Sequence, residues 1–315
     1  RLLAILLLNL VLVRTIDIRA DERPSLPQEV YDAWAKQIEN YKHLSGTTVS
    51  YSLEADKKTL IRKEDFKRSE SAASRVNEES NGKKRARVTN SKYTFFGEKR
   101  PNSSSWLLID LMLNPNAHRD GEYFPVIEDT LYKSVRHLVI ADRFISEAID
   151  NAVRIEKSET LGRNIKLYIR FDPSKTVRKK EPRTQGWVLL DADFDWSIRE
   201  AFVEIKYFNN VAYSAHSIFE LTRTQGGIPF AKTERITVSD PTTSPPKVLG
   251  VTLLENEYTF GTPIADTEFT LAAYGLPEPK GFEVRRKTPT YVWWIVGGAV
   301  FLAMGAILRV RRRKP

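Results

Sequence analysis

The chain contains no cysteine. That one absence removes disulfides, thiolate metal sites and cysteine nucleophiles together. A secreted animal domain of this size would ordinarily carry disulfides, so their absence leans towards a bacterial envelope protein. Histidine is scarce as well: His43, His118, His137 and His216 are the full set, and no two stand at metal-ligand spacing. There is no GxSxG, no P-loop and no GxGxxG; Gly162 and Gly226-Gly227 read as isolated turn glycines. No catalytic residue, metal or cofactor is expected, and the reading is of a protein that is not an enzyme. Asp191, Asp193 and Asp195 (DADFD) resemble the start of a calcium loop. An EF-hand needs Gly at the sixth position and Glu at the twelfth, and Trp196 and Phe202 stand there. A strand carrying the three carboxylates on one solvated face is expected instead.

Long apolar runs occur only at the two ends. Leu2 to Val13 is too short to span a bilayer and has the length of a signal-peptide core, so residues 1–20 read as a signal peptide whose start is truncated. Tyr291 to Leu308 (YVWWIVGGAVFLAMGAIL) has no charged side chain; as a helix it would extend about 27 Å, close to the hydrocarbon thickness. Aromatic residues mark its upstream end and Arg309-Val310-Arg311-Arg312-Arg313-Lys314 its downstream end. That asymmetry predicts a single-pass protein in the cell membrane, with the large domain extracytoplasmic (periplasmic) and the C-terminus cytoplasmic.

The formal charge of +9 is local. Arg285, Arg286, Lys287 and the five cations of the tail supply eight of the nine. The domain between is nearly neutral, which removes the main support for nucleic-acid binding. The membrane and a lipid or lipoprotein are the expected partners; the sequence identifies no protein partner.

Between the ends the period of the apolar residues changes once. After a linker (21–27), Val30, Trp34, Ile38 and Tyr41 predict a helix over Gln28–Leu44, closed by Gly46. From Thr48 the pattern alternates, and strands are expected over 48–53, 65–75, 84–96 and 105–111, with Asn81-Gly82 as a hairpin turn. Ile127, Leu131, Val135, Leu138, Ile145 and Ile149 predict helix with one or two breaks. Strands are expected again over 152–156, 164–171, 186–190, 198–208, 212–222, 232–238 and 247–254, with a short last one at 268–271. The expected fold class is α+β: a curved antiparallel meander covered by an N-terminal helix and a mid-chain helical insertion, plus a C-terminal transmembrane helix. The expected organisation is a domain over 28–275, a charged Pro-bearing stalk over 276–290, the membrane helix over 291–308 and a basic tail over 309–315.

This order of elements resembles the periplasmic lipoprotein-carrier (LolA-like) fold. The residues that carry the resemblance are YDAWAKQIENYKHLSGTTVSYSLEAD (31–56) and WLLIDLMLNPN (106–116). The ending, VTLLENEYTFGTPIADTEFTLAAYGLPEP (251–279), resembles membrane-anchored envelope proteins of planctomycete-type bacteria. Leu276-Pro277-Glu278-Pro279 is similar to a bacterial surface-sorting tetrapeptide, although Lys280 to Thr290 separate it from the apolar run. The resemblance implies an apolar cavity for a lipid or for the acyl group of a lipoprotein. The lining would come from Trp34, Ile38, Val49, Tyr51, Leu53, Trp106, Leu108, Ile127, Leu131 and Val135. The alternative is a structural or surface-sorted envelope protein with a solid core, because the same residues could fill one.

Overall fold

The computed structural model describes residues 26–55, 57–113, 135–140, 143–149, 151–172, 183–206 and 212–279. Arg1–Leu276 form one compact unit and Pro277–Pro315 another. Every element described below belongs to the first.

Helix α1 (Gln28–Asn40) begins after Pro27 and turns Val30, Trp34 and Gln37 inwards, with Tyr41 following on the same side. These positions are three or four apart, the spacing that puts one stripe of a helix against a sheet. Thirteen strands then make one antiparallel sheet. Six run outwards from the centre: β1 (Leu44–Glu54), β2 (Lys57–Arg68), β3 (Ala73–Glu79), β4 (Lys84–Thr89), β5 (Thr94–Lys99) and β6 (Leu107–Met112). Two short strands, β7 (Val139–Ile140) and β8 (Arg143–Phe144), pair with each other, and helix α2 (Ile145–Ala148) follows. The chain re-enters the large sheet at its opposite edge. It meanders back through β9 (Val153–Leu161), β10 (Asn164–Phe171), β11 (Arg183–Asp191), β12 (Ser197–Lys206), β13 (Ala212–Arg223), β14 (Pro229–Asp240) and β15 (Lys247–Phe260). The last strand lies beside the first, so β1 and β15 are central while β6 and β9 are the edges.

The Asn81-Gly82 turn joins β3 to β4 as expected, with Gly82 at φ +81°. The expected strands 65–75 and 84–96 each prove to be parts of two. Ser69 N–H donates to the Ala72 carbonyl, and Asn90 N–H donates to the Tyr93 carbonyl, which folds each run back on itself. Gly46 is needed where β1 meets β15: a Cβ there would lie 2.3 Å from the Glu257 carbonyl oxygen and 2.7 Å from the Tyr258 ring.

Two expectations are corrected. The molecule is not a helix-covered α+β fold. The described residues are mainly strand, with one helix of 13 residues and one of four. Around residues 135–149 the chain forms a 3-10 turn (Arg136–Leu138), β7, β8 and α2 in place of the expected helices. Val139 and Ile140, β-branched residues that suit a strand, leave the 3-10 turn in extended backbone and pair with Arg143–Phe144, and Ile149 is extended again after α2. The single-pass membrane localisation is corrected as well. Among the described residues no helix is long and apolar enough to cross a membrane, and Tyr291–Leu308 lies outside them. The signal-peptide residues, the stalk beyond Pro279 and the basic tail also lie outside.

Candidate binding face

Strand alternation and register divide the sheet into two faces. On one face Leu44, Phe66, Phe219, Val188, Leu190, Leu167, Ile169 and Ile155 pack beneath Val30, Trp34 and Tyr41 of the α1 region and beneath Val135, Leu138, Phe144 and Ile145. This helix-bearing face is apolar on the side of β9 to β13. Each fully buried large side chain contributes roughly 1.5–3 kcal/mol there.

Towards β2–β4 the same face turns polar. Glu64 stands two residues before Phe66 and is buried, as is Arg75, the cross-strand partner of Phe66. The two form a fork: Arg75 Nη2 donates to Glu64 Oε2 at 2.6 Å, and Nε lies 2.5 Å from Oε1. Paired charges in two-point contact are the form in which burial of both is tolerated. Arg87 stands directly across from Arg75, with its guanidinium 5.4 Å from the Phe96 ring centre. Between the two halves, Thr48 Oγ1 donates to Asn256 Oδ1 at 2.8 Å, and Asn256 Nδ2 donates to the Ala231 carbonyl. Glu234, also buried, accepts from Ser217 Oγ at 3.0 Å and lies 2.9 Å from Arg136 Nε. Burial raises the Glu234 pKa, and Arg136 and the Ser217 hydroxyl act against that rise. Arg136 therefore ties the mid-chain segment to the centre of the sheet.

The N-terminal helix is tied down at its other end. Trp34 Nε1 donates to the Trp196 carbonyl at 2.9 Å and Gln37 Nε2 to the Asp195 carbonyl at 2.6 Å. The DADFD run is a tight turn between β11 and β12, not the strand expected, and Asp195 and Trp196 both have positive φ. Its three carboxylates are each held by an arginine: Asp191 by Arg199, Asp193 by Arg163 and Asp195 by Arg223. No group of metal-ligating side chains forms among the described residues. His137, expected within a helix, lies in the 3-10 turn, where Tyr41 Oη is 3.1 Å from its Nε2. Tyr41 Oη donates to the Pro229 carbonyl. Burial lowers the His137 pKa to about 3, so its ring is neutral.

The residues named from the sequence separate. Trp34 and Val135 are fully buried in the helix-bearing core, and Ile38 packs against it. Val49, Tyr51 and Leu53 alternate with the inward residues of β1 and lie on the opposite face, half-buried. Trp106 belongs to a second apolar cluster on that opposite face, its ring 5.3 Å from that of Tyr274. Leu108 is exposed on β6. Ile127 and Leu131 lie outside the described residues. Glu64, Arg75 and Glu234 were not anticipated, because charged residues alternating along a strand read as a solvated face. Only the register that brings β2 beside β3 shows the pair.

No protein-family model matches the chain, and no curated protein matches it. Solved structures do. An outer membrane lipoprotein-sorting protein domain from Vibrio parahaemolyticus is similar at 13% identity and a TM-score of 0.45, over 78% of this chain and 97% of that one. A LolA superfamily protein from Nitrosomonas europaea is similar at 11% identity and a TM-score of 0.41, over 76% and 97%. The lipoprotein LppX from Mycobacterium tuberculosis is similar at 10% identity and a TM-score of 0.29, over 76% and 99%. Two of these are named for the class that the sequence resembles, a lipoprotein-sorting domain and a LolA superfamily protein.

Proposed function

We propose that the 28–275 domain binds an amphiphile, a lipid or the acyl group of a lipoprotein, on the helix-bearing face. The observation that supports this is the gradient across that face: apolar from β9 to β13, charged and hydrogen-bonded from β2 to β4. An acyl chain suits the first half and a polar head the second. Ligand sites combine a mostly apolar lining with a few fixed polar groups. In this reading Trp34, Ile38 and Val135 meet the chain after α1 and the 135–149 segment move aside, and Glu64 and Arg75 meet the head. The role is binding and local transfer, without covalent chemistry.

A second reading rests on a specific observation. Trp34, Tyr41, Val135 and Leu138 already fill the apolar half and are almost wholly buried. A solid structural domain would look the same. Native mass spectrometry of the full chain, with lipid extraction of whatever co-purifies, separates the two. A bound acyl species near one per chain, displaced by an apolar reporter dye, supports binding. A bare mass with no dye uptake sinks that proposal and leaves the structural domain.

A further inference from the structure

Two irregularities in the central strands have the same effect. The ladder between β1 and β2 shifts so that Ser50 faces Arg62 while Tyr51 faces Leu60, which leaves Ile61 as the extra residue. The ladder between β14 and β15 shifts so that Val238 faces Gly250 while Ser239 faces Val248, which leaves Leu249 as the extra residue. A bulge bends its strand and re-aims side chains that strict alternation would send to opposite faces. Here each presents two consecutive aliphatic residues to solvent: Leu60 and Ile61 are 45% and 44% exposed, Val248 and Leu249 55% and 57%. Leu60 lies opposite Tyr51, and Tyr51 opposite Leu253, on the face of the sheet that does not bear α1. Arg235 is opposite Leu253, and Ser239, four residues along β14, is opposite Val248, so Val248 shares that face. The half-buried Tyr51, Leu53, Val251 and Leu253 connect the two aliphatic pairs across β1 and β15.

We propose that this patch rests on an anionic lipid surface, as a peripheral contact. A contiguous exposed apolar patch marks a protein or a membrane contact, and the charges here favour the membrane. Residues 57–63 and 247–253 carry five cations (Lys57, Lys58, Arg62, Lys63 and Lys247) and no carboxylate. Exposed Arg235 adds another cation beside Leu253. The neighbouring carboxylates are engaged: Glu255 with Lys58, Asp65 with Thr47 and Lys63, and Asp240 with Thr242, while Glu54 faces Lys57 across the turn. Aliphatic residues rimmed by lysines suit a layer of acyl chains and anionic headgroups, because a lysine stem lies along apolar surface while its ammonium stays among the headgroups. Lys58 lies in this manner, its Nζ 3.8 Å from the Tyr51 ring centre. Protein interfaces are depleted in lysine, and a second copy docked about a two-fold axis would bring the same cations together. The inference is independent of what the helix-bearing face binds.

The chain has no cysteine of its own, so a polarity-sensitive fluorophore on Leu60→Cys or Val248→Cys of the full chain reports the surroundings of the patch alone. Attachment to a vesicle through any other segment leaves these positions in water. Vesicles of phosphatidylglycerol and phosphatidylcholine should shift the emission of both labels to shorter wavelength, and brominated acyl chains should quench them. A label on Leu161→Cys, a residue 50% exposed at the turn between β9 and β10 on the far edge of the sheet, should not respond. Lys57→Gln, Arg235→Gln and Lys247→Gln together, with circular dichroism unchanged, should raise the lipid concentration for half-response at position 248 roughly a hundredfold. Labels at 60 and 248 that stay water-like on the anionic vesicles would overturn the proposal. So would an equal response on pure phosphatidylcholine, or a shift that grows with protein concentration in the absence of lipid, which would assign the patch to a second copy.

Discussion

His137 makes the stability of the domain fall with acid in a calculable way. The ring is fully buried and neutral, and burial holds its pKa at about 3 against 6.5 for a free imidazole. Below pH 6.5 the unfolded chain takes up a proton that the folded chain refuses. Stability therefore drops as pH falls from 6.5 towards 3, by about 1.4 kcal/mol per pH unit. Between pH 7 and pH 5 this one group removes about 2 kcal/mol. Glu234 works in the opposite sense: its pKa is raised by burial, so the stability it contributes is present at low pH and lost as pH rises through that raised value. The assay is urea unfolding at pH 7 and pH 5 for the native chain and for His137→Gln, compared as a difference of differences so that the other groups cancel. The native chain should lose about 2 kcal/mol more than the variant over that interval. Equal losses would refute a buried neutral His137 and the packing around it.

Gly46→Val should prevent stable pairing of β1 with β15, since even a Cβ would meet the Glu257 carbonyl at 2.3 Å; low soluble yield or a loss of several kcal/mol in urea is the expected result. Trp34→Phe keeps most of the apolar area but orphans the Trp196 carbonyl, and a loss of about 1–3 kcal/mol in the same assay would match that. Amide hydrogen exchange should show α1 and residues 135–149 opening at lower free energy than β1, β14 and β15, which are each paired on both sides; uniform protection would contradict a face that can open.

The parts legible in the sequence were those with one dominant period. Val30, Trp34 and Tyr41 mark α1 because the helix buries a single stripe. The Asn81-Gly82 turn is fixed by local chemistry, and most strands are found within a few residues of their bounds. Turns whose determinants are not glycine or proline were missed. Asn90 makes its turn by accepting from the Lys92 and Tyr93 amides, a competence shared by every exposed asparagine. The segment expected as a last strand, 268–271, lies in 3-10 turns that Asn90 and Tyr93 hold by hydrogen bonds to Phe269 and Leu271. Those partners are some 180 residues away in sequence, beyond the reach of any local pattern. The candidate site divides in the same manner. Trp34 and Val135 declare themselves as apolar residues that must be buried, whereas Glu64 and Arg75 become a site only once two strands lie side by side.

The two apolar clusters lie on opposite faces of one sheet, and this bears on how such a domain could admit a ligand. Phe66 of β2 points to the helix-bearing face. Val76, Ala86, Val88 and Phe95 of β3 to β5 point to the other, beneath Phe269, Leu271 and Tyr274. A sheet packed on one face only would lose its whole core if the covering helix moved. Here β3 to β6 keep their own cover from the segment after β15, and β15 pairs with both β1 and β14. The movement that the proposed binding needs, displacement of α1 with Tyr41 and of the 135–149 segment, breaks the hydrogen bonds of Trp34 and Gln37 to residues 195–197, that of Tyr41 Oη to the Pro229 carbonyl and the Arg136 contact to Glu234. It leaves the β3 to β6 cluster and every ladder of the large sheet intact. Opening is thus local in what it costs, and the division of the core between two faces is what makes it so.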